Sequence, residues 1–464
     1  MSSKDILIIG AGPSSVTFAQ HLVAEKIKPA IITPGDLNFE SFTGKLNLEN
    51  INSPWKFSPP VGSNGYSETK NNFFTYSFYG PGGLSNSWGA GCSKLTKEDL
   101  GVTDRFLKNL YPYYEMCEEK IGITSRGNDL LDSYLGTFRN TGDKANLNPR
   151  FMFPYLSNET ITLGYTRQAI TTTDKSEFRK ACRDCGSTFI HCSNGSVYNS
   201  ANVLKEIKND INLISNAYVT KIKKIENKFL VTYISNGTER EVKAKKIILG
   251  AGPIESAKLI YTLLNSENKI KNSLELKLNH NPMTRLFFIS TTKSKKNKYN
   301  AGQMVGRINF SNNKNFYLSL VDGNSVPTSD IIMNFPIKNK FFYNLFDILK
   351  KYLVFGFIFF PSEYSDVTMQ IDNNQYLYKE KEKYKIKNLV LYSRKKLRKF
   401  FLKNNLFLMP KILSNMTPGS DLHLGSTFPI GDKDFLNVNE NCELNGMPNI
   451  FIIDGSWMPK IPEK

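Results

Sequence analysis

Asp5-Ile-Leu-Ile-Ile9, then Gly10-Ala-Gly-Pro-Ser-Ser15, then Val16, Phe18, Ala19, Leu22 and Val23 at helical spacing: this stretch decides how the chain folds. A short apolar run of strand length gives way through a glycine turn to an amphipathic helix. Gly10 permits the tight turn, and Gly12 lets the backbone approach a pyrophosphate with no Cβ in the way. The new helix, opening at Pro13-Ser14-Ser15, offers free N–H groups and the positive end of its dipole to the phosphates. Placed directly between strand and helix, the motif predicts dinucleotide binding. Ser15 stands where a third Gly or Ala usually allows close helix–strand packing. The second strand, Pro29-Ala-Ile-Ile-Thr33, ends in threonine where an acidic residue usually binds the ribose. Thr33 or Asp36 is left to make that contact.

At 464 residues the chain suits two interleaved domains. Its net charge of +18 asks for an anionic partner or a solvated basic face. Between Lys379 and Lys403 there are eleven lysines and arginines against Glu380 and Glu382, half of the whole excess. No nucleic-acid recognition motif accompanies this run, so nucleic acid is not an expected partner. Met1-Ser-Ser-Lys4 leads straight into the first strand, without a leader pattern. The longest apolar run, Tyr352–Phe360, is too short to span a bilayer. Six cysteines and no leader point to a reducing compartment. A cytoplasmic protein is expected, with a peripheral position on the inner face of a membrane as its extension.

Further segments carry a resemblance. Tyr79-Gly-Pro-Gly-Gly-Leu-Ser-Asn-Ser-Trp-Gly89 has glycines that let the main chain pass flat against a planar ring. It resembles the flavin-contacting segment of glucose–methanol–choline (GMC) oxidoreductases, in the form seen in pyranose-oxidase-like members. The resemblance implies FAD contacts from Gly82, Gly83, Ser85, Asn86 and Trp88. Some relatives link FAD covalently through a histidine just before the tryptophan; Ser87 stands there, which implies non-covalent FAD. Strands beginning at Ile211, Phe229 and Glu241, followed by Lys246-Ile-Ile-Leu-Gly-Ala-Gly-Pro253, resemble the second half of the family's flavin fold. There Val219 would meet the adenine through its backbone, and Ala251 and Gly252 would form a second turn. Pro448-Asn-Ile-Phe-Ile-Ile-Asp454-Gly455 resembles the strand that returns to the FAD, with Asp454 and Gly455 beside the ribityl and phosphate region.

Asp421-Leu-His-Leu-Gly-Ser-Thr-Phe-Pro-Ile-Gly431 resembles the segment with the family's catalytic histidine. Of His21, His191, His280 and His423, only His423 falls in such a motif. The reaction implied is oxidation of a CH–OH group: imidazole takes the hydroxyl proton while hydride passes to flavin N5. Imidazole as a residue type exchanges protons near neutral pH, which suits that role. Relatives carry a second His or Asn shortly after the segment matched by Asp454–Pro459, and this sequence reaches Lys464 before it. Three readings follow: a shortened chain, another partner for His423, or a degenerate flavin-binding scaffold without catalysis.

Cys182-Arg-Asp-Cys185 begins like a metal segment, with His191-Cys192 nearby, but adjacent ligands do not readily face one ion. A packed thiol-containing loop is the reading taken, and no metal site is expected. Residues 283–417 alternate short strands with Asn/Lys turns, which predicts an antiparallel sheet beside the flavin. Within it, Phe342, Leu345, Phe346 and Leu349 lie on one helical face, and Arg394–Leu402 forms a second, basic amphipathic element. The expected fold is thus α/β: a Rossmann-like doubly wound FAD domain interleaved with a substrate domain on an antiparallel sheet. The FAD domain is expected over 1–282, with inserted loops near 40–80 and 125–180, and again over 418–464. The substrate domain is expected over 283–417. The expected partner is a small-molecule alcohol, a sugar or sugar-like one by the pyranose-oxidase likeness. A weak anionic-membrane contact through 340–403 accompanies the alternative of a membrane-peripheral enzyme on a lipid-linked glycan.

Overall fold

A strand buried on both faces must be apolar at every position, and Leu7, Ile8 and Ile9 in Ser3–Ile9 are all buried. The computed structural model describes residues 3–37, 65–86, 88–125, 130–138, 157–183, 192, 194–293, 304–311, 314–325, 340–372, 375–380, 386–410, 417–432 and 434–464. Ser3–Ile9 pairs in parallel with Ala30–Ile32 on one side and with Thr238–Leu249 on the other. Asn212–Ile214 extends the parallel set beyond Ala30–Ile32, and Ile450–Ile452 joins it beside Thr238–Leu249.

Thr238–Leu249 serves two pairings. Its first part runs antiparallel to Lys228–Ser235, which in turn pairs with Ala217–Ile225; its last part belongs to the parallel set. The result is a seven-stranded sheet with a meander on one flank. The single strand expected from Ile211 is in fact two, because Asn216 turns at φ 51° and redirects the chain from the parallel edge into the meander. Asparagine tolerates that left-handed backbone better than its apolar neighbours would.

Side chains alternate across the central strand, so Leu7 and Ile9 enter one core and Ile8 the other. The first core holds helix Pro253–Ser266, through Ala257, Ile260 and Leu264; the second holds helix Pro13–Ala24, through Val16 and Ala19. Both helices start immediately after a glycine, with proline in the first helical position where its missing N–H costs nothing.

The second large sheet has six antiparallel strands in the order Leu406–Leu408, Met283–Ser290, Leu353–Phe359, Lys314–Asp322, Met304–Ser311 and Ile161–Tyr165. Its last strand comes from outside 283–417. Conversely, Val367–Asp372 and Gln375–Glu380 pair with Ser273–Lys277, and Val367, Met369 and Tyr378 share the core of the first sheet. Helix Ile386–Leu402 lies on one face of the six-stranded sheet, where Phe288 and Phe401 meet edge to face at 5.1 Å. This basic element packs its apolar side as an ordinary globular helix does. Helix Lys340–Leu349 differs: Leu345 and Leu349 of its apolar face are exposed. No described helix is long and apolar enough to cross a membrane.

Candidate functional site

The glycine turns far apart in sequence touch one another. Gly10 has φ 103°, and a Cβ there would lie 2.4 Å from the carbonyl oxygen of Gly250. The Gly82 amide donates to the Ala11 carbonyl at 2.8 Å, and a Cβ on Gly83 would come within 3.2 Å of Gly12 Cα. Only residues without side chains allow three backbones to meet this closely. Ser15 proves compatible with the packing: it is fully buried and its hydroxyl donates to the Gly250 carbonyl at 3.3 Å.

Around this junction opens a cleft of about 300 Å³. Gly10, Gly12, Pro13 and Ser14 face it from the first turn, and Ala251 and Gly252 from the second. Asp454 and Gly455 face it from the turn after Ile450–Ile452, and Gly83, Thr33 and Val219 line it as well. Asp36 is exposed and does not line the cleft, so of the two ribose candidates the structure brings Thr33 to it. The Thr33 hydroxyl is buried without a hydrogen-bond partner. Such a group costs about 1–3 kcal/mol unless something bonds it. A ribose hydroxyl of a bound dinucleotide would satisfy it, and the free amides of the first turn would meet the pyrophosphate. The residues present therefore fit FAD.

Asp454 closes the cleft's floor. Its carboxylate accepts from the Gly252 amide at 2.9 Å, the Ser256 hydroxyl at 2.5 Å, and the Ser456 amide and hydroxyl at 3.0 and 2.5 Å. Burial nonetheless pushes its carboxyl above the usual carboxylate range. Asp454 thus ties the returning strand to the second turn as well as facing the cleft. Glu255, which the sequence reading missed, accepts from Tyr79 at 3.2 Å, Tyr218 at 2.9 Å and Lys258 at 2.8 Å at the cleft wall. Burial, with the neighbouring carboxylate, raises both tyrosines. Its only sequence signal was a carboxylate in the first turn of a helix following a glycine motif.

Gly82, Ser85, Asn86 and Trp88 stand behind the loop, not in the cleft. The Ser85 hydroxyl donates to the Gly82 carbonyl at 2.6 Å, Asn86 to the Pro81 and Gly83 carbonyls, and Trp88 to the Tyr198 carbonyl at 2.9 Å. Their polar groups are spent on shaping the loop that carries Gly83 and Leu84 inward. Ser87 lies outside the described residues, as do Cys185 and His191 of the cysteine-rich segment. Cys182 and Cys192 pack against the core beside helix Pro13–Ala24. Among the described residues no group of His, Cys, Asp and Glu is arranged to hold a metal ion. Burial pushes the Cys92 thiol up to about 12 and the Cys442 thiol up to about 11, so neither is a nucleophile at neutral pH.

His423 is exposed, stacked on Phe359 of the six-stranded sheet at 5.6 Å and 29°. Its neighbours Leu422 and Leu424 line the cleft, which puts the imidazole where cleft and sheet meet. Leu422 has φ 66° and Ser426 φ 67°, left-handed conformations that cost on the order of 1–3 kcal/mol each in residues with side chains. The segment is held there by its surroundings. Ser426 and Phe428 amides donate to the Gly455 and Ser456 carbonyls at 3.1 and 3.0 Å, and Asn279 and Gly425 exchange two backbone bonds. Behind it, Asp421 accepts from the His423 and Asn281 amides at 3.2 and 2.9 Å and from His280 Nδ1 at 3.1 Å, all but the His423 bond fully buried. His280 is thus a buried brace for the His423 segment, edge-on to Phe73 at 5.6 Å. His21 is exposed on its helix.

No family model and no curated protein matches the sequence. Among solved structures, pyridoxine 4-oxidase from Mesorbium loti is similar over 99% of this chain and 96% of its own, with a TM-score of 0.61 at 13% identity. At that identity the likeness speaks for the fold, and it does so over nearly the whole of both chains. The mixed α/β architecture, with its glycine-lined cleft beside an antiparallel sheet, is thus a fold shared with pyridoxine 4-oxidase.

Proposed function

We propose that this protein is an FAD-dependent oxidoreductase that oxidises a CH–OH group, with FAD held non-covalently. The carrying observation is the cleft itself: glycine turns converge on it, Thr33 lines it with a buried, unpartnered hydroxyl, and His423 stands at its flank. Gly10 to Ser14 would hold the pyrophosphate, Thr33 the ribose, Val219 the adenine, and Gly83 with Gly455 the flavin half. When bound, FAD supplies the hydride acceptor. The protein's own work is proton transfer and placement. His423 accepts the hydroxyl proton, Phe359 holds the imidazole plane by stacking, and Asp421 with His280 fixes the backbone that carries it.

The likeness to a solved alcohol oxidase supports an alcohol donor, and the pyranose-oxidase-like loop at Tyr79–Gly89 supports a sugar or sugar-like one. A cytoplasmic location belongs to the same proposal. Purified protein should be yellow, release FAD intact on acid treatment, and bleach anaerobically with an alcohol or sugar. Reoxidation by oxygen then distinguishes an oxidase from a dehydrogenase. Colourless protein that fails to take up added FAD would overturn the proposal.

A further inference from the structure

The two ends of the six-stranded sheet face different surroundings. At one end Phe359 pairs with Met283 and Tyr317, and Phe359 carries His423. At the other, Leu353 pairs with Ile289, and Ile289 with Phe407. Six residues of strand separate them, about 20 Å. Residues directly opposite on paired strands share a face, so Phe359, Phe357 and Phe355 lie with Met283, Arg285 and Phe287 on the face turned away from helix Ile386–Leu402. Ring contacts follow this face: Phe359 with Tyr317 at 6.0 Å and Phe355 with Phe287 at 5.0 Å.

At the far end Leu353 and Leu406 are buried, while Ile289 and Phe407 are exposed. Helix Lys340–Leu349 runs through Lys350–Tyr352 directly into Leu353, and helix Ile386–Leu402 ends just before the edge strand Leu406–Leu408. Both elements therefore finish at this end. On these elements and the strands they join, Phe341 is 70% exposed, Ile348 61%, Leu402 53%, Phe407 42%, Leu349 39% and Ile289 37%. Lys350, Lys351, Lys399 and Lys403 border them, and Asp347 is the sole acidic residue in 340–353 and 386–408 together. Large apolar groups exposed together with a basic border are what an interfacial helix presents to anionic headgroups. A second copy of this chain would set lysines against lysines.

We propose that this end of the sheet docks on an anionic lipid bilayer. A consequence, resting on the oxidoreductase reading, is that an alcohol carried on an apolar chain passes from the bilayer along the aromatic face to His423. The test is co-sedimentation of the holoprotein with vesicles of phosphatidylcholine containing phosphatidylglycerol, against phosphatidylcholine alone, at low and high salt. Binding should require the anionic lipid and weaken with salt. Phe341→Glu with Ile348→Glu should weaken it about tenfold or more, and Lys399→Gln with Lys403→Gln by about fivefold for each charge, with flavin absorbance and thermal unfolding unchanged. Failure to bind anionic vesicles, binding untouched by these substitutions, or a dimer that dissociates on Phe341→Glu would overturn the docking surface. In turnover assays the Phe341→Glu/Ile348→Glu protein should lose oxidation of a long-chain alcohol held in vesicles and keep that of a short soluble one. Vesicle binding without flavin reduction by either alcohol would sink the oxidoreductase reading and leave the docking surface standing.

Discussion

The two large sheets solve the problem of making a site in opposite ways. The parallel sheet makes its cleft from backbone: turns at Gly10, Gly83, Ala251–Gly252 and Gly455 meet with no side chains between them. The antiparallel sheet makes its surface from side chains, Phe355, Phe357 and Phe359 beside Met283 and Phe287, brought together by strand register. A backbone site tolerates no added atom, whereas a side-chain surface tolerates exchange of one ring for another of similar volume. The first region is accordingly the brittle one and the second the adaptable one.

The sharpest way to break this contrast is Gly10→Val. Its Cβ would overlap the Gly250 carbonyl at a positive φ, for a loss on the order of 3 kcal/mol from strain and overlap together. The protein should lose flavin absorbance and unfold at lower temperature; retention of both would mean the turns do not meet as described. His423→Ala acts where the two regions join. It should slow anaerobic flavin reduction by substrate about 10²–10⁴-fold, while stability shifts by less than about 0.5 kcal/mol because the imidazole is exposed. Unchanged reduction would remove His423 from the role of base.

The seam between the sheets carries a pH dependence. Ile461 accepts from Asn281 at 3.0 Å, and the Glu463 carboxylate accepts from the Tyr134 hydroxyl at 3.1 Å. Burial raises the Glu463 carboxyl from 4.5 to about 7, so the native protein binds this proton more tightly than the unfolded chain. That contribution is fully present below 4.5 and is lost as pH rises through about 7, at most about 3 kcal/mol. Glu463→Gln should flatten thermal stability across that window; an unaltered pH profile would show that Glu463 is not the source. The smallest effect is expected at Thr33→Val. The apoprotein should keep or gain stability, since an unpartnered buried hydroxyl is removed, while FAD binds about fivefold more weakly, near 1 kcal/mol. Equal affinity measured by flavin fluorescence would dissociate Thr33 from the ribose.

Legibility in the sequence followed the same division. Gly10 and Gly12 could be read from strand–turn–helix order because that local pattern has few other uses; Asp454 came only from the resemblance. Ser85, Asn86 and Trp88 belong to the right loop, yet their bonds to neighbouring carbonyls turn them into its supports. Sequence can mark a loop without saying which of its side chains face inward. Likewise Lys340–Leu349 is amphipathic by pattern, and only the fold shows that Phe341, Leu345, Ile348 and Leu349 are left exposed.

By itself the sequence determined the parts whose chemistry is local. These were the buried central strand, the glycine turns that begin two helices, and the choice left open between Thr33 and Asp36. The tertiary structure decided what depends on pairing across long separations. Asn279 bridges to Gly425, which places His280 against Asp421, and strand register stacks Phe359 on His423. It also turned Thr33 inward and left Asp36 in solvent. The physical reason is range: a glycine's permissiveness acts within its own turn, whereas a side chain's partner is set by hydrogen bonds and burial involving residues hundreds of positions away.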